Sequence, residues 1–177
     1  MTAPRSIVLV GMMAAGKTTT GQAAARRLGW DFLDSDRQVE RRTGRTVEEI
    51  WKAEGEQGFR QLEAEALAEA LASTAERPAV IAAAGGTVLD ARNRQLLKQN
   101  PPVVWLRARP ETLVARVGTG AGRPLLAVDP AEALLRLEAE RRPFYEEVAG
   151  TVVDVDVLRP DQVVDEVVAT VAGGDGL

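Results

Sequence analysis

Cysteine and histidine are both absent from the 177-residue chain. Without Cys there is no disulfide framework, no thiol nucleophile and no thiolate metal site. Without His there is no imidazole base and no Ser-His pair, so acid–base chemistry falls to Asp, Glu, Lys, Tyr or water. Long apolar runs are missing as well: nothing approaches the ~18 residues of a membrane span. Residues 1–6 lead straight into a short apolar run and a glycine, unlike a secretory leader. A cytoplasmic protein with no membrane partner is expected. An excess of basic charge is also lacking, and a formal charge of -4 gives no reason to expect nucleic acid. What remains is 45% hydrophobic and 27% charged residues, a globular balance in a length that suits one domain.

Along the chain, short apolar runs alternate with helical patterns. Strands are predicted at 7–10, 31–33, 79–83, 103–106 and 151–155. Helices are predicted at 17–28, 36–42, 46–53, 57–73, 90–99, 110–117, 131–148 and 161–172, several stopped by glycines such as Gly29, Gly44 and Gly55. Phe59, Leu62, Ala66 and Ala70 recur at helical spacing and mark a buried face. This alternation implies an α/β protein with a parallel sheet covered on both faces. The helical stretch 36–73 is long enough to stand beside the sheet as an insertion. The glycine-rich segment 118–122 is too permissive to hold one shape cheaply.

Between the first strand and the first helix lies Gly11-Met12-Met13-Ala14-Ala15-Gly16-Lys17-Thr18, which satisfies G-x-x-x-x-G-K-[ST]. Such a loop turns its backbone N–H groups inward around phosphates, and the next helix points its positive end at the same charge. Lys17 can reach the outer phosphates, and the Thr18 hydroxyl can ligate Mg²⁺. The motif is strong for nucleotide and silent about the acceptor.

Acceptor signals are weaker one by one. Asp34 and Asp36 flank Ser35 at the carboxyl end of the second strand, where they would face the ligand crevice. One can serve Mg²⁺ and the other a substrate hydroxyl. A helix cap explains them equally well, since Asp is a favoured capping residue, and both roles coexist if Ser35 caps and Asp34 is functional. Arg60 and Glu63 stand at i,i+3, so Glu63 can aim the guanidinium at a carboxylate, although alone the pair reads more readily as a surface ion pair. Gly85 and Gly86 follow the third strand and can expose backbone N–H groups to a ligand or simply form a turn.

In this order the motifs resemble the shikimate kinase family over nearly the whole chain. They are the phosphate loop, Phe32-Leu33-Asp34-Ser35-Asp36, Gly55-Glu56 with Phe59-Arg60 and Glu63, Gly85-Gly86, Arg123-Pro124-Leu125-Leu126, and Arg141-x-Pro143-x-Tyr145. The resemblance implies a single three-layer P-loop kinase domain over 1–177, with a five-stranded parallel sheet in the order 2-3-1-4-5. It implies a substrate-binding insertion at 36–73 and a mobile lid at 117–129. It further implies transfer of the ATP γ-phosphate to the 3-hydroxyl of shikimate, with ATP and shikimate as the only partners, Mg²⁺ as metal, and a monomer. Gly11, Met13, Ala14, Ala15, Gly16, Lys17, Thr18 and Thr19 would hold the phosphates, and Arg116 and Pro160 would flank the adenine. Thr18 and Asp34 would serve the metal. Asp36 would hold the acceptor hydroxyl, as positioner or as base. Arg60 and Arg141 would clamp the carboxylate beside Gly85 and Gly86. Lys17, Asp36 and Arg123 would be catalytic, Arg123 closing from the lid.

Ala14 and Ala84 depart from the family's usual glycines. If either position needs φ > 0, Ala would cost about 1–2 kcal/mol. The neighbouring glycines are expected to absorb that demand, so restoring Gly should change little. Gluconate kinase and a non-catalytic nucleotide-binding homologue are the alternatives, although the latter should have lost Lys17, Asp36 or an acceptor Arg.

Overall fold

A computed structural model describes residues 4–118, 124–126 and 128–172. Its strands are β1 (Ser6–Val10), β2 (Asp31–Asp34), β3 (Ala79–Ala82), β4 (Val103–Arg107) and β5 (Thr151–Asp154). Its α-helices are α1 (Lys17–Leu28), α2 (Ser35–Thr43), α3 (Val47–Ser73), α4 (Ala91–Gln99), α5 (Pro110–Val117), α6 (Pro130–Val148) and α7 (Pro160–Ala172). The five strands form one sheet in the order β2-β3-β1-β4-β5, every pair parallel. This is the expected α/β architecture and strand order.

β1 is the middle strand and every residue in it is buried, because helices cover both faces of a parallel sheet. α1 and α7 pack together along β1, while α4, α5 and α6 pack as a second group that reaches β4. The main core runs through Ile7, Leu9, Ile81, Val104, Leu106 and Leu134. α2 and α3 enclose a separate small cluster of Val39, Ile50, Phe59 and Ala66. Leu126, in a 3-10 turn at Pro124–Leu126, is fully buried in the main core. Among the described residues no helix is long and apolar enough to cross a membrane.

Most predicted boundaries agree with the structure to within a residue. Gly29 and Gly44 close α1 and α2 in the left-handed conformation, and Thr46 with Glu49 forms a capping box at the start of α3. α3 continues past Gly55 through a kink at which Gly55 takes φ 69 and ψ -173. The predicted helices 46–53 and 57–73 are its two halves. A 3-10 turn at Thr87–Leu89, between β3 and α4, was not predicted.

One local prediction is corrected. Asp34, not Ser35, caps α2: its Oδ1 accepts from the Arg37 backbone N–H at 3.3 Å. Ser35 is fully buried and turned toward the sheet, where its hydroxyl donates to Ala82 O at 3.1 Å and accepts from Ala84 N–H at 2.8 Å. A buried hydroxyl needs partners, and β3 and the residue two beyond its end supply them.

Candidate active site

The carboxyl ends of β1, β2 and β3 open into a cleft of about 620 Å³. Met13, Ala14, Ala15, Gly16, Lys17, Thr18 and Thr19 line it from the loop between β1 and α1. Asp34 and Asp36 enter from the β2–α2 junction, Gly85 from the turn after β3, and Arg116 and Pro160 from α5 and the start of α7. Gly11 lies behind the lining, where a Cβ would meet Leu106 O at 2.6 Å. Val155 and Leu158, in the segment before Pro160, also line the cleft and were not foreseen from sequence. Their signal was positional: they follow the carboxyl end of a parallel strand.

Within the loop, Lys17 Nζ donates to Gly11 O at 2.7 Å and to Met12 O at 2.9 Å. Those bonds hold the ammonium at the loop's own rim. Gly16 takes φ 97 at the start of α1, and Ala14 takes φ 64. The expectation that neighbouring glycines would absorb a positive φ is therefore overturned at Ala14, which carries the left-handed conformation itself. Ala84 is not among the positive-φ residues. Arg116 reaches the same turn, its Nη1 donating to Ala14 O at 3.3 Å.

Thr18 Oγ1 donates to Asp34 Oδ2 at 2.9 Å. This pairs two hard oxygen donors at the phosphate end of the cleft, a donor set suited to Mg²⁺ completed by water and phosphate oxygens. Among the described residues no group of three or more Asp or Glu could hold a metal by itself. Asp36 lines the wall of the open cleft and is exposed to solvent through it. Burial, then the Asp34 charge, raises its carboxyl pKa above the ordinary range, and Lys17 and Arg60 pull it back. Lys17, Asp36 and Arg60 thus act on one another electrostatically.

The side expected to take the acceptor is built from α3, the turn after β3, and α6. Arg60 Nη1 donates to Glu63 Oε2 at 2.6 Å, and its Nη2 reaches Glu56 Oε1 at 3.3 Å. The Glu63 side chain is only 2% exposed, so this is not a surface pair. Burial pushes the Glu63 carboxyl up to about 7, against the pull of Arg60. The Arg60 guanidinium also stacks near Trp51 and Phe59, its Cζ 6.0 Å and 5.8 Å from the ring centres. It lies so close over Gly86 that any Cβ there would collide with it. Arg60, Glu63 and Gly86 share a smaller hollow of about 450 Å³ beside the main cleft.

Arg141 is 1% exposed, and its Nε and Nη2 have no hydrogen-bond partner among the described residues. A Cβ on Gly85 would lie 3.2 Å from its Nη1. Tyr145, one turn along α6, donates its hydroxyl to Gly85 O at 2.7 Å and stacks on Trp105 with ring centres 5.7 Å apart. Burial pushes the Tyr145 phenol up to about 12, so it stays a donor. Tyr145 thereby fixes the backbone turn at Gly85, and Arg141 lies close beside it. Arg123 lies outside the described residues, as does most of the glycine-rich part of the predicted lid.

A sequence model of the family described as Shikimate kinase matches residues 13–172. The shikimate kinase of Symbiobacterium thermophilum is 47% identical over 165 residues, 92% of this chain and 93% of that protein. That of Salinispora arenicola is 46% identical, over 93% of this chain and 96% of its own. Among solved structures, shikimate kinase from Acinetobacter baumannii in complex with shikimate superposes with a TM-score of 0.90 at 37% identity, covering 98% of this chain and 96% of its own. A gluconokinase from Sinorhizobium meliloti reaches a TM-score of 0.54 at 21% identity, a likeness of fold alone. A phosphate loop, a pair of carboxylates at the next strand, a half-buried Arg60 and a buried Arg141 accompany matches that span almost the full length. The chain belongs to the shikimate kinase family.

Proposed function

We propose that this chain transfers the γ-phosphate of ATP to the 3-hydroxyl of shikimate, giving shikimate 3-phosphate and ADP. Asp36 carries the assignment: it lines the cleft formed by the phosphate loop, while the charges of Lys17 and Arg60 act on it from either side. An acceptor hydroxyl on Asp36 would stand between the phosphate end and the two arginines. Its oxygen forms the new bond to the γ-phosphorus as the bond to the β,γ-bridging oxygen breaks, and Asp36 takes the hydroxyl proton. A raised carboxyl pKa makes it a better proton acceptor than an ordinary Asp.

Phosphoryl transfer asks mainly for alignment and charge neutralisation. The loop 11–19 holds the phosphates with its backbone. Lys17 exchanges its bonds to Gly11 O and Met12 O for the outer phosphate oxygens. Arg116 and Pro160 flank the adenine, and Arg123, outside the described residues, supplies further positive charge for the phosphates. Thr18 and Asp34 would hold Mg²⁺, which would supply positive charge against the phosphates. Arg60 and Arg141 clamp the acceptor carboxylate, and Gly85 and Gly86 offer backbone groups beside it. The unpartnered nitrogens of Arg141 favour an anionic ligand there.

Gluconate also carries a carboxylate and several hydroxyls, so a coupled ADP-release assay must compare the two acceptors. Shikimate-dependent turnover is expected, with little or none on gluconate. Phosphorylation of gluconate alone would overturn the assignment.

A further inference from the structure

The slot assigned above to the adenine has walls from two separate elements. Arg116 stands in the last turn of α5, whereas Val155 and Leu158 belong to the segment between β5 and α7 and Pro160 opens α7. Asp156 joins them. Its Oδ2 accepts from the Arg109 backbone N–H at 2.6 Å, and its Oδ1 accepts from the Thr112 hydroxyl at 2.5 Å. Arg109 Nε lies 3.6 Å from the same carboxylate, and the Asp156 side chain is only 6% exposed. Its own backbone N–H donates to Asp154 Oδ1 at 3.0 Å, which pins the carboxylate's position relative to β5.

A helix start normally takes its cap from its own preceding residue. α5 has Arg109 there and makes no side-chain cap bond of its own. The cap comes instead from 44 to 47 residues away, so satisfying the helix also fixes the distance to the loop. Thr112 and Arg116 are one turn apart and share a face of α5. The bond to Thr112 therefore sets the rotation that aims Arg116 at the slot. Burial alone would raise the Asp156 carboxyl, but the Thr112 and Arg109 bonds and the Arg109 and Arg116 charges hold it below the ordinary range.

We propose that Asp156 is a positioning residue that fixes the slot between Arg116 and Pro160, and so governs affinity for the nucleotide's base rather than for its phosphates. This rests on the nucleotide assignment above, but not on the identity of the acceptor. The test is calorimetric binding of ADP and of inorganic triphosphate, with no acceptor present. Asp156→Ala should weaken ADP about 10-fold, the usual effect of losing bonds to a buried charge. Inorganic triphosphate, which needs only the phosphate loop, should change less than about twofold. Asp156→Asn keeps an oxygen to accept from the Arg109 N–H and turns an amide N–H to the Thr112 hydroxyl, which can accept it, so it should recover most of the ADP affinity. If Asp156→Ala does not fold, Thr112→Val removes one bond while leaving the backbone cap, and should still weaken ADP selectively. Equal weakening of both ligands, or a lower Tm with ADP affinity unchanged, would overturn the proposal. Wild-type protein that bound no ADP would instead overturn the nucleotide assignment itself.

Discussion

Ala14 holds a backbone conformation, φ 64, that costs an L-residue about 1–2 kcal/mol. Replacing it by Gly removes that strain but gives the unfolded chain more freedom, worth about 0.5–1 kcal/mol in the opposite direction. The balance favours Ala14→Gly by roughly 0.5–1 kcal/mol, or about 1–4 °C in Tm for a chain of this size. Ala84 has no such strain, so Ala84→Gly should only lose stability. Thermal melts of the pair check this, and an Ala14→Gly protein melting below wild type would contradict it. Asp36 shows the same tension between site and fold. Its folded carboxyl pKa is raised by burial and then by Asp34. The folded state then binds the proton more tightly than the unfolded chain, so stability falls as pH rises from the ordinary 3.8 through the folded value. Asp36→Asn should melt higher than wild type at pH 8, lose that advantage in acid, bind ATP and transfer no phosphate. A lower Tm at pH 8 would show that its attraction to Lys17 and Arg60 outweighs its desolvation.

α3 carries Arg60, proposed above for the acceptor carboxylate, on the far side of its kink. Gly55 at φ 69 and ψ -173 lies in a region essentially reserved for glycine, where another residue costs about 1–3 kcal/mol. Gly55→Ala should lower Tm by about 3–9 °C. Because Arg60 follows the kink by little more than one turn, the KM for the acceptor should rise while nucleotide affinity holds. Gly44→Ala is the control: Gly44 also has positive φ, and a Cβ there would meet nothing within 4 Å, so it should cost stability without moving the acceptor KM. Unchanged acceptor KM in Gly55→Ala would separate the kink from the site. Elements bounded by glycine, proline or a capping pair were legible in the sequence because their signals act within one turn of chain. The junction Asp34-Ser35-Asp36 was not, since three good capping residues stand in a row and local chemistry cannot rank them. The choice falls to β3, whose Ala82 carbonyl and the Ala84 N–H beyond it occupy the Ser35 hydroxyl.

Across the whole molecule, the phosphate half of the site was legible because it is contiguous in sequence, and the acceptor half because Arg60 and Glu63 share one helix. The bonds from Tyr145 to Gly85 and from Thr112 to Asp156 left no local pattern, because they join residues 60 and 44 positions apart. These long-range contacts hold a cleft that the fold maintains at a cost. Ala14 is strained, Asp36 and Glu63 ionise against burial, and Arg141 is desolvated with two nitrogens unpartnered among the described residues. An anionic acceptor should return part of that cost. At about 100 times its Kd, shikimate should stabilise wild type by about 2.7 kcal/mol, or roughly 5–10 °C in Tm. Arg141→Met keeps the bulk of the side chain, removes the buried charge, and leaves Glu63 its bond to Arg60. The ligand-free variant should melt at or above wild type, as replacing buried charges by apolar groups often allows. It should also lose the shikimate shift while keeping the shift produced by ATP with Mg²⁺. Melting curves with each ligand decide it: a retained shikimate shift would remove Arg141 from the acceptor clamp, and a collapse of the ligand-free fold would make it a structural cation instead.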